Sequence, residues 1–479
     1  MTVVKRSNIS PLDPTAATPF YRQIYDRFRG AIASGLLKPG DRIPSARALT
    51  KELGLARGTI EAAYSLLAAE GYIQARGQAG TIVTPGLKPR APVANTLPPS
   101  NGSSGFSRAS FRRDAILPFQ MGLPALDAFP RKIWARLGAR CVRAMQPADM
   151  AHPSVCGLPA LRAEIASYLH VSRGIECSPS QVFVTSGYRH TMELIGHALL
   201  KAGDRVWHED PGYPPTPELL GHMHIAAVPV PVDGEGMVVS EGVKLAPRAR
   251  AAVVTPAHQS PLSVSLSLPR RLALLDWAAR NKAWIIEDDY DGEYRYASRP
   301  LPALKSLDRD GRVLYAGTFS KVLFPSIRLA YLVAPESQVE RFEQISQAFA
   351  GGSPQLTQAI VTAFIREGHF ARHIQRMRKL YAERRAATMA GLESVLGKHM
   401  RIDVQPGGMH LILRLQGQQS DRRLAARMRE EGLHGQALTD WTMRSDVGSD
   451  VAPALLLSFT NIDSQGTAED LGRRILKLI

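Results

Sequence analysis

At 479 residues the chain exceeds what one hydrophobic core holds, and ~100–200 residues per domain gives about three domains. A balance of 44% hydrophobic to 21% charged residues excludes a mostly disordered chain, and no uninterrupted apolar run approaches the ~20 residues that span a bilayer. The formal charge of +16 suits a polyanionic partner such as nucleic acid. Three cysteines (Cys141, Cys156, Cys177) are too few for a disulfide framework and lack metal-ligand spacing. The opening stretch MTVVKRSNISPLDPT carries no secretory apolar run, so a cytoplasmic protein with reduced thiols and no membrane partner is expected.

Residues 19–34 place Phe20, Ile24, Phe28 and Ile32 at helical spacing, and Gly35 with Pro39-Gly40 stops that helix. Ser45 is the expected N-cap of a second helix over Ala46–Leu53, broken by Gly54. A third helix starts at Arg57-Gly58-Thr59 and runs to Glu70. Two short strands, 72–75 and 80–83, then flank a turn at 76–79. This order is that of a winged helix-turn-helix, whose third helix enters the major groove by its N-terminal residues. Residues 1–90 hold 13 Lys or Arg against 6 Asp or Glu, in keeping with that role. Residues 85–115 have the Pro, Ser, Gly and Arg content of a flexible linker.

Beyond residue 116 the texture is dense. The runs QVFVTS, DRVWHE, AAVVTP, AWIIEDD and RVLYAG read as buried parallel strands between helices, which predicts a doubly wound α/β domain. From about residue 370 a smaller α+β part is expected, with a long helix over 372–396 and strands near 409–415 and 454–459. Lys321 closes a strand between hydroxyls, seven residues before Arg328. Such a lysine traps an aldehyde, while Thr318, Ser320 and Arg328 suit a phosphate. The turn Ser186-Gly187-Tyr188-Arg189 opens a helix, a natural phosphate cradle. Asp288 ends a buried strand, where a carboxylate keeps a pyridine nitrogen protonated, and Tyr213 follows a turn, available to stack on a ring. All four segments follow strands, where open α/β sheets bind ligands.

On PGDRIPSARALTKELGLARGTIEAAYSLLAAEGYIQARGQAGTIV the N-terminal unit resembles the GntR family of bacterial transcription regulators. The resemblance implies DNA contacts from Ser45, Arg47, Arg57, Thr59 and a wing that includes Arg76 and Gly77. Gly58, where a polar residue is frequent, and the acid Glu61 depart from common versions. On VCGLPALRAEIASYL, VTSGYRH, WHEDPGYP, VTPAHQSP, WIIEDDYDGEY and YAGTFSKVLFPSIRLAYLV, residues 116–479 resemble fold-type-I aminotransferases that use pyridoxal 5'-phosphate (PLP). The whole chain thus resembles the MocR subfamily, a winged helix-turn-helix (17–84) joined by a linker (85–115) to an aminotransferase-like domain (116–479).

By that resemblance Lys321 forms the internal aldimine, Asp288 pairs with the pyridine nitrogen, Tyr290 bonds the phenolic oxygen and Tyr213 stacks on the ring. Gly187, Tyr188, Arg189, Thr318, Ser320 and Arg328 hold the phosphate, and His258 is a further candidate to face the ring. Two departures stand out. Ser260 occupies the place of the usual ring-binding Asn, with Gln259 or His258 as substitutes. Leu456 occupies the place of the Arg that binds a substrate carboxylate, with Arg414 or Arg444 as candidate replacements. The resemblance therefore implies at most a residual aminotransferase half-reaction. It implies a PLP-binding regulator of promoter DNA whose effector is PLP or an amino compound (a γ-amino acid, taurine or a D-amino acid). A head-to-tail, domain-swapped homodimer is implied, with RNA polymerase a candidate partner. The alternative is an active aminotransferase that carries a DNA-binding head.

Overall fold

The computed structural model describes residues 12–16, 18–77, 80–86, 116–295, 302–349, 352–403, 407–417, 419–443 and 451–479. The linker expected over 85–115 lies almost wholly outside them. The chain forms two compact units, Met1–Phe111 and Arg112–Ile479.

In the first unit, helices Phe20–Ala33, Ala46–Leu53 and Arg57–Ala69 precede an antiparallel ribbon of Ile73–Ala75 and Thr81–Val83. Ile24, Phe28 and Ile32 share one helical face. They bury against Ile60, Ala63, Tyr64 and Leu67 of the third helix, with Ile73 and Val83 closing the core from the ribbon. Ser45 caps the second helix, its hydroxyl accepting from Ala48 N at 3.2 Å, and Gly54 ends it in the left-handed conformation.

In the second unit an eight-stranded sheet runs in the spatial order Val182–Thr185, Ala330–Val333, Val313–Thr318, Trp284–Asp289, Ala251–Val254, Arg205–Asp210, Ala226–Asp233 and Gly236–Met237. Val182–Thr185 and Ala251–Val254 are buried at every residue, as strands covered on both faces are. Ala330–Val333 runs antiparallel to both its neighbours, so the parallel strands around it still end on one edge. The sequence reading omits this strand and Ala226–Asp233. Pro229 and Pro231 disguise the latter, and they are tolerated because the Pro231 carbonyl, accepting from Val238 N, points to the outer side.

A second, antiparallel sheet is ordered Met400–Asp403, His410–Leu415, Ala454–Ser458, Gln436–Ala437. It packs with helices His369–Leu396, Asp421–Glu430 and Gln465–Leu476 around Leu411, Leu413, Leu455 and Leu457. The architecture is therefore an α+β winged helix, an α/β large domain and a small α+β domain. Among the described residues no helix is long and apolar enough to cross a membrane.

Candidate functional site

The parallel strands deliver their carboxyl ends, and the side chains that follow them, to one edge of the large sheet. Lys321 comes three residues after strand Val313–Thr318, and its Nζ donates to the carbonyl of Gly122 at 3.0 Å. Gly122 has φ +79°, and a Cβ there would lie 2.5 Å from Nζ, so glycine makes the contact possible. Burial pushes the Lys321 ammonium below its ordinary pKa, against the pull of Asp291 and Asp288.

Asp288 is the penultimate residue of strand Trp284–Asp289. Burial, then the charges of Asp289, Glu209 and Asp291, push its carboxyl up to about 8, with Lys321 opposing. No hydrogen bond reaches that carboxyl from the described residues. A half-buried carboxyl without a donor among the described residues fits a cationic ring N–H, which is what a protonated pyridine offers.

Tyr290 follows, its hydroxyl 3.0 Å from His258 Nδ1 and also bonded to the Ser260 side chain. His258 Nδ1 is in turn 3.1 Å from the Asp291 carboxylate. Of the two substitutes for the missing Asn, His258 therefore touches Tyr290. Gln259 does not: its amide is spent on Pro211 O, Ser260 O, Glu209 and Leu262 N. Tyr213 is 37% exposed and stands edge-on to Tyr188 with ring centroids 5.3 Å apart, leaving a face for a stacked ring.

Gly187 sets the N-terminus of helix Tyr188–Leu199 with φ +117°, and the first-turn N–H groups have no intrahelical acceptor. Tyr188 contributes backbone there, since its hydroxyl bonds Thr216 at 2.6 Å. The Arg189 guanidinium pairs with Glu218 at 3.4 Å. Thr318 accepts from Ser320 N at 3.1 Å. Ala330 is in register with both Thr318 and Thr185, which brings the preceding Arg328 to the same edge. Arg328 is exposed, left-handed at φ +50°, and its guanidinium has no partner among the described residues. A non-glycine residue held at positive φ with a free guanidinium is placed for an anion rather than for packing. Helix N-terminus, hydroxyls and Arg328 together fit a phosphate.

Several site residues were not singled out from sequence. Glu209 accepts from Thr255 N and its hydroxyl, and burial lifts it to about 7. Arg173, 5% exposed, pairs with Asp289 at 2.6 Å and Glu293 at 2.9 Å. Tyr315 and Tyr168 donate to the same two acids, fixing the chain between Asp288 and Tyr290 and just beyond Tyr290.

Leu456 is fully buried with Ile412, Leu438 and Ala454, under partly exposed Met121, Leu262, Trp441 and Val451. Arg414 does not replace the missing Arg: its guanidinium bonds Asp403 at 2.8 Å and Ala452 O at 3.2 Å on the far end of the small sheet. Arg444 lies outside the described residues.

In the first unit Ser45, Arg47, Arg57, Arg76 and Gly77 are exposed and Thr59 is half-buried. Arg57 is ion-paired with Glu61 at 2.7 Å, one turn along the helix. Arg76 N bonds Gly80 O at the wing turn, and the Arg42 guanidinium rests against Gly80, adding a cation absent from the expected contacts.

Residues 20–83 match the family "Bacterial regulatory proteins, gntR family", and residues 128–447 match "Aminotransferase class I and II". The chain is 36% identical to the "Probable rhizopine catabolism regulatory protein MocR" of Rhizobium meliloti, over 96% of this chain and 94% of that one. It is 33% identical to the "HTH-type pyridoxine biosynthesis transcriptional regulator PdxR" of Corynebacterium glutamicum, over 84% of each. Among solved structures it resembles LysN, the alpha-aminoadipate aminotransferase of Thermus thermophilus complexed with N-(5'-phosphopyridoxyl)-L-leucine. The TM-score is 0.67 at 28% identity, covering 76% of this chain and 92% of that one. Aminotransferases of this fold depend on PLP, and the GntR helix-turn-helix binds DNA. The chain belongs to the MocR type of GntR-family transcriptional regulators, in which that DNA-binding domain is joined to an aminotransferase-like domain.

Proposed function

We propose that this regulator binds promoter DNA through its winged helix and reads the supply of PLP, or of an amine that meets PLP, at the edge of its large sheet. The observation that carries the reading is the convergence of Lys321 on its Gly122 carbonyl, the donorless carboxyl of Asp288 and the unpartnered guanidinium of Arg328. PLP, when bound, supplies an aldehyde that condenses with a primary amine and a ring that draws electron density from it.

The chain's own residues supply the rest. Low polarity around Lys321 favours the neutral, nucleophilic amine. Asp288 holds a proton-bearing ring nitrogen. Tyr290 offers its hydroxyl to the ring's phenolic oxygen, oriented by His258 and Ser260. Tyr213 covers the ring, and the Gly187 helix start with Thr318, Ser320 and Arg328 anchors the phosphate. A ligand at this site regulates only as far as it prefers one arrangement of the protein. We place the regulator in the cytoplasm as a head-to-tail, domain-swapped homodimer, with RNA polymerase a candidate partner.

The test is the visible spectrum of the purified protein with PLP. A band that is lost in Lys321→Ala, together with effector-dependent operator binding, supports the reading. A Lys321→Ala protein that still answers its effector on DNA sinks it. Keto-acid production from an amino donor would favour the aminotransferase alternative.

A further inference from the structure

Beside Lys321 lies an apolar surface made of three residues distant in sequence. Met121 precedes Gly122, whose carbonyl holds the Lys321 amine. Leu262 follows the Ser260 whose side chain bonds the Tyr290 hydroxyl. The Trp441 ring is 6.0 Å from that of Tyr213, and its carbonyl accepts from Gly212 N. All three roof the buried cluster of Ile412, Leu438 and Leu456.

The ionisable side chains that act on the Lys321 amine are both acids, and of these Asp288 keeps its proton up to about 8. Asp288 and Asp291 act on the Lys321 amine, and Glu209 and Asp289 stand behind Asp288. Three arginines, Arg173 and Arg271 buried and Arg295 half-buried, are engaged elsewhere. Arg173 is held by Asp289 and Glu293, Arg271 by the carbonyls of Leu266, Pro302 and Pro256, and Arg295 by Ala257 O and the Ser265 hydroxyl. Arg328 stands at the phosphate end, by Thr318.

Building on the PLP reading above, we infer that the effector amine carries no carboxylate beside its nitrogen and lays an apolar body on Met121, Leu262 and Trp441. A carboxylate on this surface would lose its water, gain no cation among the described residues and face Asp291. An ammonium arriving from water is drawn by the Asp291 carboxylate, and an alkyl or aryl body removes apolar area from water.

The test compares isoamylamine with L-leucine, which share a side chain and differ by the carboxylate. Full-length protein is titrated with each in the presence of PLP, followed by visible absorbance, and by thermal shift without PLP. Isoamylamine is expected to half-saturate at ~10-fold lower concentration or better, the scale of one uncompensated charge. Leu262→Arg, on the half-buried roof, is expected to erase that preference or invert it. Arg444→Ala is expected to leave it unchanged. Equal or tighter binding of leucine by the wild type overturns the inference, and so does loss of leucine binding in Arg444→Ala. If PLP alone gives neither a band nor a thermal shift, the cofactor reading fails by itself. The PLP-free thermal shifts then decide: stabilisation by isoamylamine above that by leucine upholds the apolar seat, and the reverse removes it.

Discussion

Gly122 and Asp288 bracket the reactive amine, and each makes a separable prediction. Gly122→Ala puts a methyl 2.5 Å from Lys321 Nζ on a backbone at φ +79°, so the amine must leave its carbonyl. PLP affinity is expected to drop at least ~10-fold, for a ~1–3 kcal/mol loss of a part-buried hydrogen bond. Absorbance titration measures it. For Asp288 the sign follows from proton counting. The folded carboxyl keeps its proton up to about 8, whereas the unfolded one loses it near 3.8. Raising the pH between those values therefore favours unfolding of PLP-free protein, and above about 8 this group adds no further slope. Asp288→Asn is expected to raise the Tm of PLP-free protein at neutral pH relative to wild type, and to abolish the stabilisation that PLP gives. Melting curves over pH 4–9 with and without PLP check both; a variant less stable than wild type without PLP would show that Asp288 has a partner.

At the scale of elements, the start of helix Arg57–Ala69 pairs the cation proposed to contact DNA with an acid one turn on. An exposed Arg57–Glu61 pair contributes only about 0.3–0.5 kcal/mol, less than one good contact to a base or phosphate, so DNA displaces it. Arg57→Ala is expected to cost about 1–3 kcal/mol in operator binding. Glu61→Gln is expected to tighten binding by a few-fold without changing the site preferred. Electrophoretic shifts at two salt concentrations separate these outcomes. Ser45→Ala removes a cap and is expected to destabilise the first unit by about 1 kcal/mol. Elements of this kind are legible in sequence because their signals are local: Ser45 and Gly54 bracket a helix within ten residues, and Asp288 and Lys321 each end an apolar run. What sequence hides is long-range. Gly122 meets Lys321 across 199 positions, and Asp289 meets Arg173 across 116. His258 and Gln259 are neighbours of similar polarity, and only the fold shows which one turns toward Tyr290.

For the whole molecule, the two compact units make their losses separable. Arg57→Ala is expected to leave the PLP absorbance band intact, and Lys321→Ala to leave operator affinity without effector within about twofold of wild type. Loss of the band in Arg57→Ala would contradict the division of labour proposed above. The double variant is expected to lose both activities additively.

The buried Arg173 has a consequence for genetics. It neutralises two carboxylates at once, so its removal strands both Asp289 and Glu293 in the interior, a class of change that costs about 3–5 kcal/mol. Asp289 sits between Asp288 and Tyr290, and Glu293 follows three residues after Tyr290. A selection for alleles deaf to the effector should therefore return Arg173 substitutions beside those of Lys321, although Arg173 lies behind the strand end and not on the binding face. A suppressor of such an allele would be sought at Asp289 or Glu293, where neutralising one acid restores the balance that the lost guanidinium kept.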